Sequence, residues 1–315
     1  HIQLAFLNYF EMLQGTGFCS VKVCHDEKVQ IDDIRDSNLV IFTRSRNLKL
    51  VEIINYCNQY KVSTLYMLDD NWLSAAKDYP HLFVGLFVAG NDQFEAFLYI
   101  MRRCDKVLVY NKYLAEDLSK FAKDIVISRL AINLDMYKKD KEIEKKGIVI
   151  GYSGSARFID EPFKALVKVA KKRKNVRILI FGYLTEEQKN ILSEIEYINV
   201  PPQNYTAYCK TFASLEPDIL IAPIDRTRTS MSKCPNKYLE ISAVKAAGIY
   251  SNTYPYNEVV KNGVNGLLVD RESEIEWEGT ILSLVDNPEL LERIKKNAYN
   301  DVKRNYSCSA VLSDF

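Results

Sequence analysis

The sequence predicts an α/β protein built on two doubly wound parallel sheets. Short apolar strands alternate with helical segments along the whole chain, the pattern of βαβ units. At 315 residues the chain exceeds the roughly 250–300 residues that one hydrophobic core supports, so two domains are expected. Between the halves, Asn133 to Lys146 loses its apolar periodicity and fills with charge, which marks a linker.

In the first half, Leu39–Thr43 and Ser63–Leu68 read as buried strands around a helix near Leu48 to Tyr60. A helix from about Asp92 to Cys104 leads into a strand at Lys106–Tyr110, then a helix over Tyr113 to Phe121 and a short strand, Ile125–Ile127. The second half restarts with the strand Gly147–Tyr152. Its first helix carries a start signal, Asp160 as N-cap with Glu161 and Pro162 behind it. Strand Val176–Phe181, a helix near Glu186 to Ile195, a short strand to Val200 and a helix over Tyr205 to Phe212 follow. The apolar strand Asp218–Pro223 precedes a helix holding Lys237 and Glu240. Strands at Ile249–Ser251 and Gly266–Val269, then helices near Glu274–Leu284 and Pro288–Tyr306, close the chain. The expected domains are residues 1–133, a linker at 134–146, and residues 147–299, with the helix at about 300–315 a candidate to rejoin the first domain.

Composition narrows the function. A formal net charge of +1 provides no global field for nucleic acid or a membrane. The basic runs Lys171–Lys174 and Lys138–Lys146 read as solvated helix-end and linker charge, with contact to an anionic acceptor or lipid surface left open. Seven cysteines, odd in number and without a CxxC pair, suit reduced thiols in a cytoplasmic protein. Cys19, Cys24 and His25 lack a second ligand pair nearby, so no metal is expected there. No apolar run reaches the roughly 18–20 residues that span a bilayer, and no signal-peptide pattern opens the given sequence. The chain starts at His1 and not Met, which leaves room for sequence upstream.

The most informative stretch is Ser232-Lys233-Cys234-Pro235-Asn236-Lys237-Tyr238-Leu239-Glu240, directly after an apolar strand. Lys237 and Glu240 are three residues apart and share one helix face. A cation and a carboxylate at the start of such a helix suit a ligand carrying phosphate and ribose. The lysine and first-turn N–H groups can meet phosphate, and the carboxylate can accept from sugar hydroxyls.

The loop Gly151-Tyr152-Ser153-Gly154-Ser155-Ala156-Arg157 ends the second domain's first strand. Its glycines and hydroxyls can cradle an anion, or simply make a tight strand-to-helix turn. The spacing is not G-x-G-x-x-G, and the next strand ends in Phe181-Gly182-Tyr183 without an acidic residue, so a dinucleotide site is excluded. No Gly-Lys-Ser/Thr follows, which excludes a Walker loop.

With these residues in order, the second half resembles the donor-binding domain of GT-B-type glycosyltransferases, in the retaining group called glycosyltransferase family 4. The match runs through Ile150–Ser155, Gly182, Tyr205–Tyr208, Asp218–Pro223, Asn236–Glu240, Ala247-Gly248, Pro255-Tyr256 and Asn262–Val269. The first half resembles the acceptor domain more loosely, through Tyr66–Trp72, Cys104–Val107 and Ala131–Tyr137. The resemblance implies two Rossmann-like domains facing each other across a cleft. It also implies transfer of a sugar from a nucleoside diphosphate to a glycan, lipid-linked or protein acceptor. Polysaccharide or glycoconjugate biosynthesis is the setting it suggests; the cytoplasmic reading rests on the cysteines, and peripheral membrane contact stays open with the basic runs. Glu240 matches the second glutamate of a paired-glutamate motif, which contacts the donor's ribose. The first, eight residues earlier, falls at Ser232, a departure from the pattern that counts against a glutamate-assisted mechanism.

Sugar transfer leaves negative charge on the diphosphate, where one oriented donor is typically worth about 3–4 kcal/mol. Lys237 and Lys233 are the leading candidate cations, Arg157 the next, with Arg226 and Arg228 in reserve. Gly151, Ser153, Gly154, Ser155, Asn236 and Glu240 are the candidate donor-binding residues. With lysines taking the charge, neither metal nor cofactor is expected. Asp69 and Asp70 read as acceptor-side residues or as part of a helix cap at Asn71-Trp72; being adjacent, their side chains are expected to diverge. His81 joins the acceptor side or is structural. Two other readings stay open: a catalytically degenerate GT-B-like binding module or partner subunit, and a nucleotide-sugar epimerase.

Overall fold

The computed structural model describes residues 7–83, 85–139, 147–155 and 159–312. They form two compact units. Unit 1 comprises His1–Leu130 together with Arg226–Cys234, and unit 2 comprises Ala131–Asp225 with Pro235–Phe315.

Unit 1 holds a parallel sheet of β1 (Leu39–Thr43), β2 (Ser63–Met67), β3 (Lys106–Val109) and β4 (Ile125–Ile127), in chain order. Val40 pairs with Thr64, Leu65 with Lys106 and Val107 with Ile125. Three helices start from asparagines whose side-chain oxygens accept first-turn N–H groups: Asn71 for Trp72–Asp78, Asn91 for Asp92–Arg103 and Asn111 for Lys112–Leu118. The helix Leu50–Tyr60 ends at Lys61, which adopts a left-handed φ of 57°. The unit 1 core packs Tyr66, tilted, and Trp72, edge-on, against Phe97 at 5.7 and 5.2 Å between ring centroids.

Unit 2 holds six parallel strands: β5 (Ile148–Gly154), β6 (Val176–Gly182), β7 (Tyr197–Val200), β8 (Ile219–Ala222), β9 (Ala247–Ser251) and β10 (Leu267–Val269). Their order is β10-β9-β8-β5-β6-β7. The chain reverses direction of growth between β5 and β8, and ligands of open α/β sheets bind at the carboxyl ends of strands at such a switch. Asp218 pins that junction. Its carboxylate accepts Val149 N–H at 2.9 Å while its own N–H reaches Val149 O at 2.8 Å. The core packs Ile150, Ile178, Ile219 and Ile249 of the sheet against Phe163 and Trp277 of the helices.

The predicted alternation is present, with several differences. Asp160 stands at the N-cap of Glu161–Lys172, but its backbone is helical and its side chain makes no cap bond; the helix start rests on Pro162. The segment from about residue 300 onward, a candidate to rejoin the first domain, groups with unit 2, in which the helix Pro288–Asn305 packs on Asn236–Ala243 and β9. The segment read as a linker begins as a 3-10 turn, Leu134–Tyr137, with Tyr137 6% exposed. Residues 140–146 of that segment lie outside the described residues.

Candidate functional site

The donor-side candidates in unit 2 assemble at the β5/β8 switch. The helix Asn236–Ala243 begins at Asn236, so Lys237 and Glu240 lie in its first two turns. Lys237 Nζ lies 2.5 Å from Glu240 Oε2. Glu240 is 6% exposed, and a carboxylate so deeply placed requires partners. The second partner is Tyr208, whose hydroxyl donates to the same oxygen at 3.2 Å.

Tyr208 belongs to the helix Tyr205–Ser214, capped by Asn204 through a 3.0 Å bond to Ala207 N–H. Helical spacing aligns Tyr205, Tyr208 and Phe212 on one face, and the Tyr208 ring packs on Phe181 and Phe212 at 4.8 and 5.1 Å. Its hydroxyl also meets Ser153 Oγ, at the end of β5, at 3.0 Å. Burial first, and the Glu240 carboxylate second, push the Tyr208 hydroxyl well above the usual phenol range. It therefore keeps its proton and donates it to Glu240, which leaves Ser153 to donate to Tyr208. Tyr137, its hydroxyl 3.1 Å from that of Tyr205, is raised by the same two causes.

The glycines separate into two roles. Gly151 lies so close to β6 that a Cβ there would sit 2.0 Å from Leu179 O; strand packing demands that glycine. Gly154 has φ 153°, and an added Cβ would stand 3.4 Å from Lys237 Cε and 3.3 Å from the Tyr152 hydroxyl. It admits the lysine stem over the strand end. Ser155 accepts the Tyr152 hydroxyl through its carbonyl, and its side chain is exposed. Arg157 lies outside the described residues.

Lys233 belongs to unit 1. Its Nζ is 3.1 Å from Asp70 Oδ1, and Arg44 reaches Asp69 at 3.1 Å and Asp70 at 2.7 Å. The two adjacent carboxylates, expected to diverge, are thus bridged by one guanidinium fork. Arg44 follows β1 with φ 52°, an uncommon backbone for a non-glycine residue. Burial holds the Asp69 carboxyl above its ordinary range against the pull of Arg44. For Asp70 the burial effect is outweighed by Lys233 and Arg44, and its carboxyl is lowered. His81 is exposed in the turn after Trp72–Asp78.

The rest of the Arg226–Cys234 segment is docked in unit 1 by polar contacts. Thr229 donates through N–H and hydroxyl to Asp78, both at 2.7 Å. Asn111 Nδ2 donates to the carbonyls of Met231 and Lys233, both at 2.9 Å. Arg228, a reserve phosphate ligand on the sequence, is instead spent on Asp117, Glu116 and the Tyr113 carbonyl. Ser232 is fully buried; it accepts from Asn71 Nδ2 at 2.9 Å and donates to Arg228 O at 2.8 Å.

Sequence reasoning missed Arg44 and the role of Tyr208. The helical phase of Tyr205, Tyr208 and Phe212 was the available signal for the tyrosine; nothing local distinguished the arginine. Among the described residues no group of three or more His, Cys, Asp or Glu is arranged to hold a metal ion, Cys19, Cys24 and His25 included. Among them, too, no helix is long and apolar enough to cross a membrane.

Two parallel sheets, the second switched at β5/β8 with a charged helix start beside it, define an α/β protein of the GT-B glycosyltransferase class. The family model described as glycosyl transferases group 1 matches residues 135–301, more than half of the chain, and the chain belongs to that family. It is a glycosyltransferase. Among solved structures it resembles HepE from Anabaena in complex with UDP-glucose, at 13% identity and TM-score 0.67, over 97% of this chain and 87% of that one. Sucrose-phosphate synthase from Thermosynechococcus elongatus aligns at 13% identity and TM-score 0.60, over 88% and 71%. A putative UDP-N-acetylglucosamine 2-epimerase from Listeria monocytogenes aligns at 10% identity and TM-score 0.56, over 94% and 77%. At these identities the likeness is one of fold. No curated protein matches the sequence.

Proposed function

We propose that the chain transfers a sugar, a hexose or a relative of one, from a nucleoside-diphosphate sugar to a glycan, lipid-linked or protein acceptor. The acceptor oxygen bonds the anomeric carbon and passes its proton to the departing diphosphate, which leaves with the electrons of the broken bond. The observation that carries this reading is the Lys237–Glu240–Tyr208 cluster at the switch point of unit 2. Glu240 Oε2 is occupied by Lys237 and Tyr208, so Oε1 is the oxygen offered to ribose hydroxyls. Lys237 neutralises the departing diphosphate, helped by the first-turn N–H groups, with Lys233 and Arg157 as further candidate cations. Ser153, Gly154, Ser155 and Asn236 complete the proposed donor site, and Asp69, Asp70 and His81 the proposed acceptor side.

Retention of configuration and membership of the family 4 group are supported by the resemblance of the second half. Independence from metal ions is supported by the lysines available to take the charge. A cytoplasmic place in polysaccharide or glycoconjugate synthesis, with peripheral membrane contact, fits the same reading. A binding module without turnover is the second reading, favoured by Ser232 where a glutamate stands in related enzymes.

The test is calorimetric titration of nucleoside diphosphates and their sugars against the wild type and Glu240→Ala, followed by product analysis. One preferred base, bound about 10–100-fold more weakly by the variant, is expected from lost hydrogen bonds to a charged group. Unchanged affinity in Glu240→Ala sinks the ribose assignment. Binding without transfer would favour the module, and interconversion of the sugar itself would mean an epimerase.

A further inference from the structure

Glu240 and Lys237 neutralise one another, yet the proposed function requires that lysine on the diphosphate. A carboxylate as buried as Glu240 is strongly unfavourable once its partners leave. We propose that Tyr208 is a positioning residue that holds the Glu240 carboxylate when Lys237 turns to the donor diphosphate. This inference rests on the donor-site reading above.

Three features equip Tyr208 for the task. Its single proton points to Glu240 Oε2, and its oxygen accepts from Ser153 at 3.0 Å and from Lys237 at 3.4 Å. Ser153 therefore anchors it whether or not the lysine is present. Its ring is wedged between Phe181 and Phe212, which fixes the hydroxyl in place. Its raised pKa keeps it a donor across the working pH range. The lysine is the movable partner: its side chain is 24% exposed against 8% for Glu240. With Tyr208 present, Glu240 releases Lys237 and still keeps one donor, with Oε1 turned to the sugar. Without it, the carboxylate would retain the lysine and compete with the diphosphate for it.

Tyr208→Phe keeps the packed ring and removes only the hydroxyl. Affinities for uridine diphosphate and the other nucleoside diphosphates would be measured by calorimetry in the wild type, Tyr208→Phe, Glu240→Gln and the double variant. Tyr208→Phe is expected to weaken the preferred diphosphate about tenfold, the scale of a hydrogen bond to a charged group. In the neutral Glu240→Gln background the same change should cost less than about twofold, because no buried charge needs holding. Ser153→Ala, which loosens the tyrosine from its other side and also removes a proposed donor contact, should weaken binding in both backgrounds but more where Glu240 is charged, and it serves if Tyr208→Phe folds poorly. Equal losses in both backgrounds, or none in either, overturn the inference while leaving the donor site standing. A wild type that binds no nucleoside diphosphate removes both.

Discussion

Arg228 grips Asp117 with two parallel hydrogen bonds, Nε to Oδ2 at 2.8 Å and Nη2 to Oδ1 at 2.6 Å. The residues are 111 positions apart in the chain, and the pair ties the Arg226–Cys234 segment into unit 1. Both side chains are less than one third exposed, so the pair is shielded better than a surface ion pair. Asp117→Asn is expected to lower unfolding stability at neutral pH by about 2 kcal/mol.

The same pair has a defined pH dependence. Burial alone would raise the Asp117 carboxyl, but its hydrogen bonds from Arg228 and Asn71 outweigh that and bring it below the ordinary 3.8. A folded pKa below the unfolded one means the contribution is complete above that ordinary value and disappears as pH falls through the folded one. Thermal unfolding of wild type and Asp117→Asn should therefore differ constantly from about pH 5 to 8 and converge in strong acid. A gap that persists unchanged at the acid end would show that the carboxylate's charge is not its source.

Ser232 offers a direct test of why no glutamate stands there. Ser232→Ala removes two hydrogen bonds, one from Asn71, which keeps its 2.6 Å bond to Asp117, and one to Arg228 O, and should cost about 1–3 kcal/mol. Ser232→Glu forces a longer, charged side chain into a fully buried position and should cost more than about 3 kcal/mol, with no gain in transfer. Denaturant unfolding measures both. A stable, more active Ser232→Glu would mean that the site accepts the glutamate of related enzymes.

Lys237→Ala should lower kcat by about 10²–10³-fold and affect donor affinity less, because leaving-group charge develops mainly in the transition state. Kinetics paired with calorimetry separate the two. Equal losses in kcat and affinity would make the lysine a ground-state contact only.

Transfer activity should survive a strong chelator. Asp69 and Asp70 are engaged by Arg44 and Lys233, which already supply the positive charge that an ion would bring. Activity abolished by chelation and restored by a divalent cation would assign a metal to that pair.

The alternation of strands and helices, the placing of Lys237 and Glu240 on one helix face and the donor-like order of motifs in the second half are legible in the chain of residues alone. These depend on hydrophobic periodicity and short-range helix geometry, which a few consecutive residues express. The capping asparagines show the limit of such signals: Asn71 was visible beside Trp72, but its bonds to Asp117 and Ser232 were not. The strand order that places the switch at β5/β8 emerges in the fold alone, because parallel pairing joins residues far apart in the chain. The fold also places Arg226–Cys234 with the first half. Nothing local in that segment names Asp78, Asn71, Asn111 and Asp117 as its partners, since Thr229, Ser232, the Met231 carbonyl and the Arg228 guanidinium bond to residues more than a hundred positions away. The bridging of Asp69 and Asp70 by Arg44 has the same origin. Buried polar groups must find partners, and where the chain finds them is a property of the packed fold.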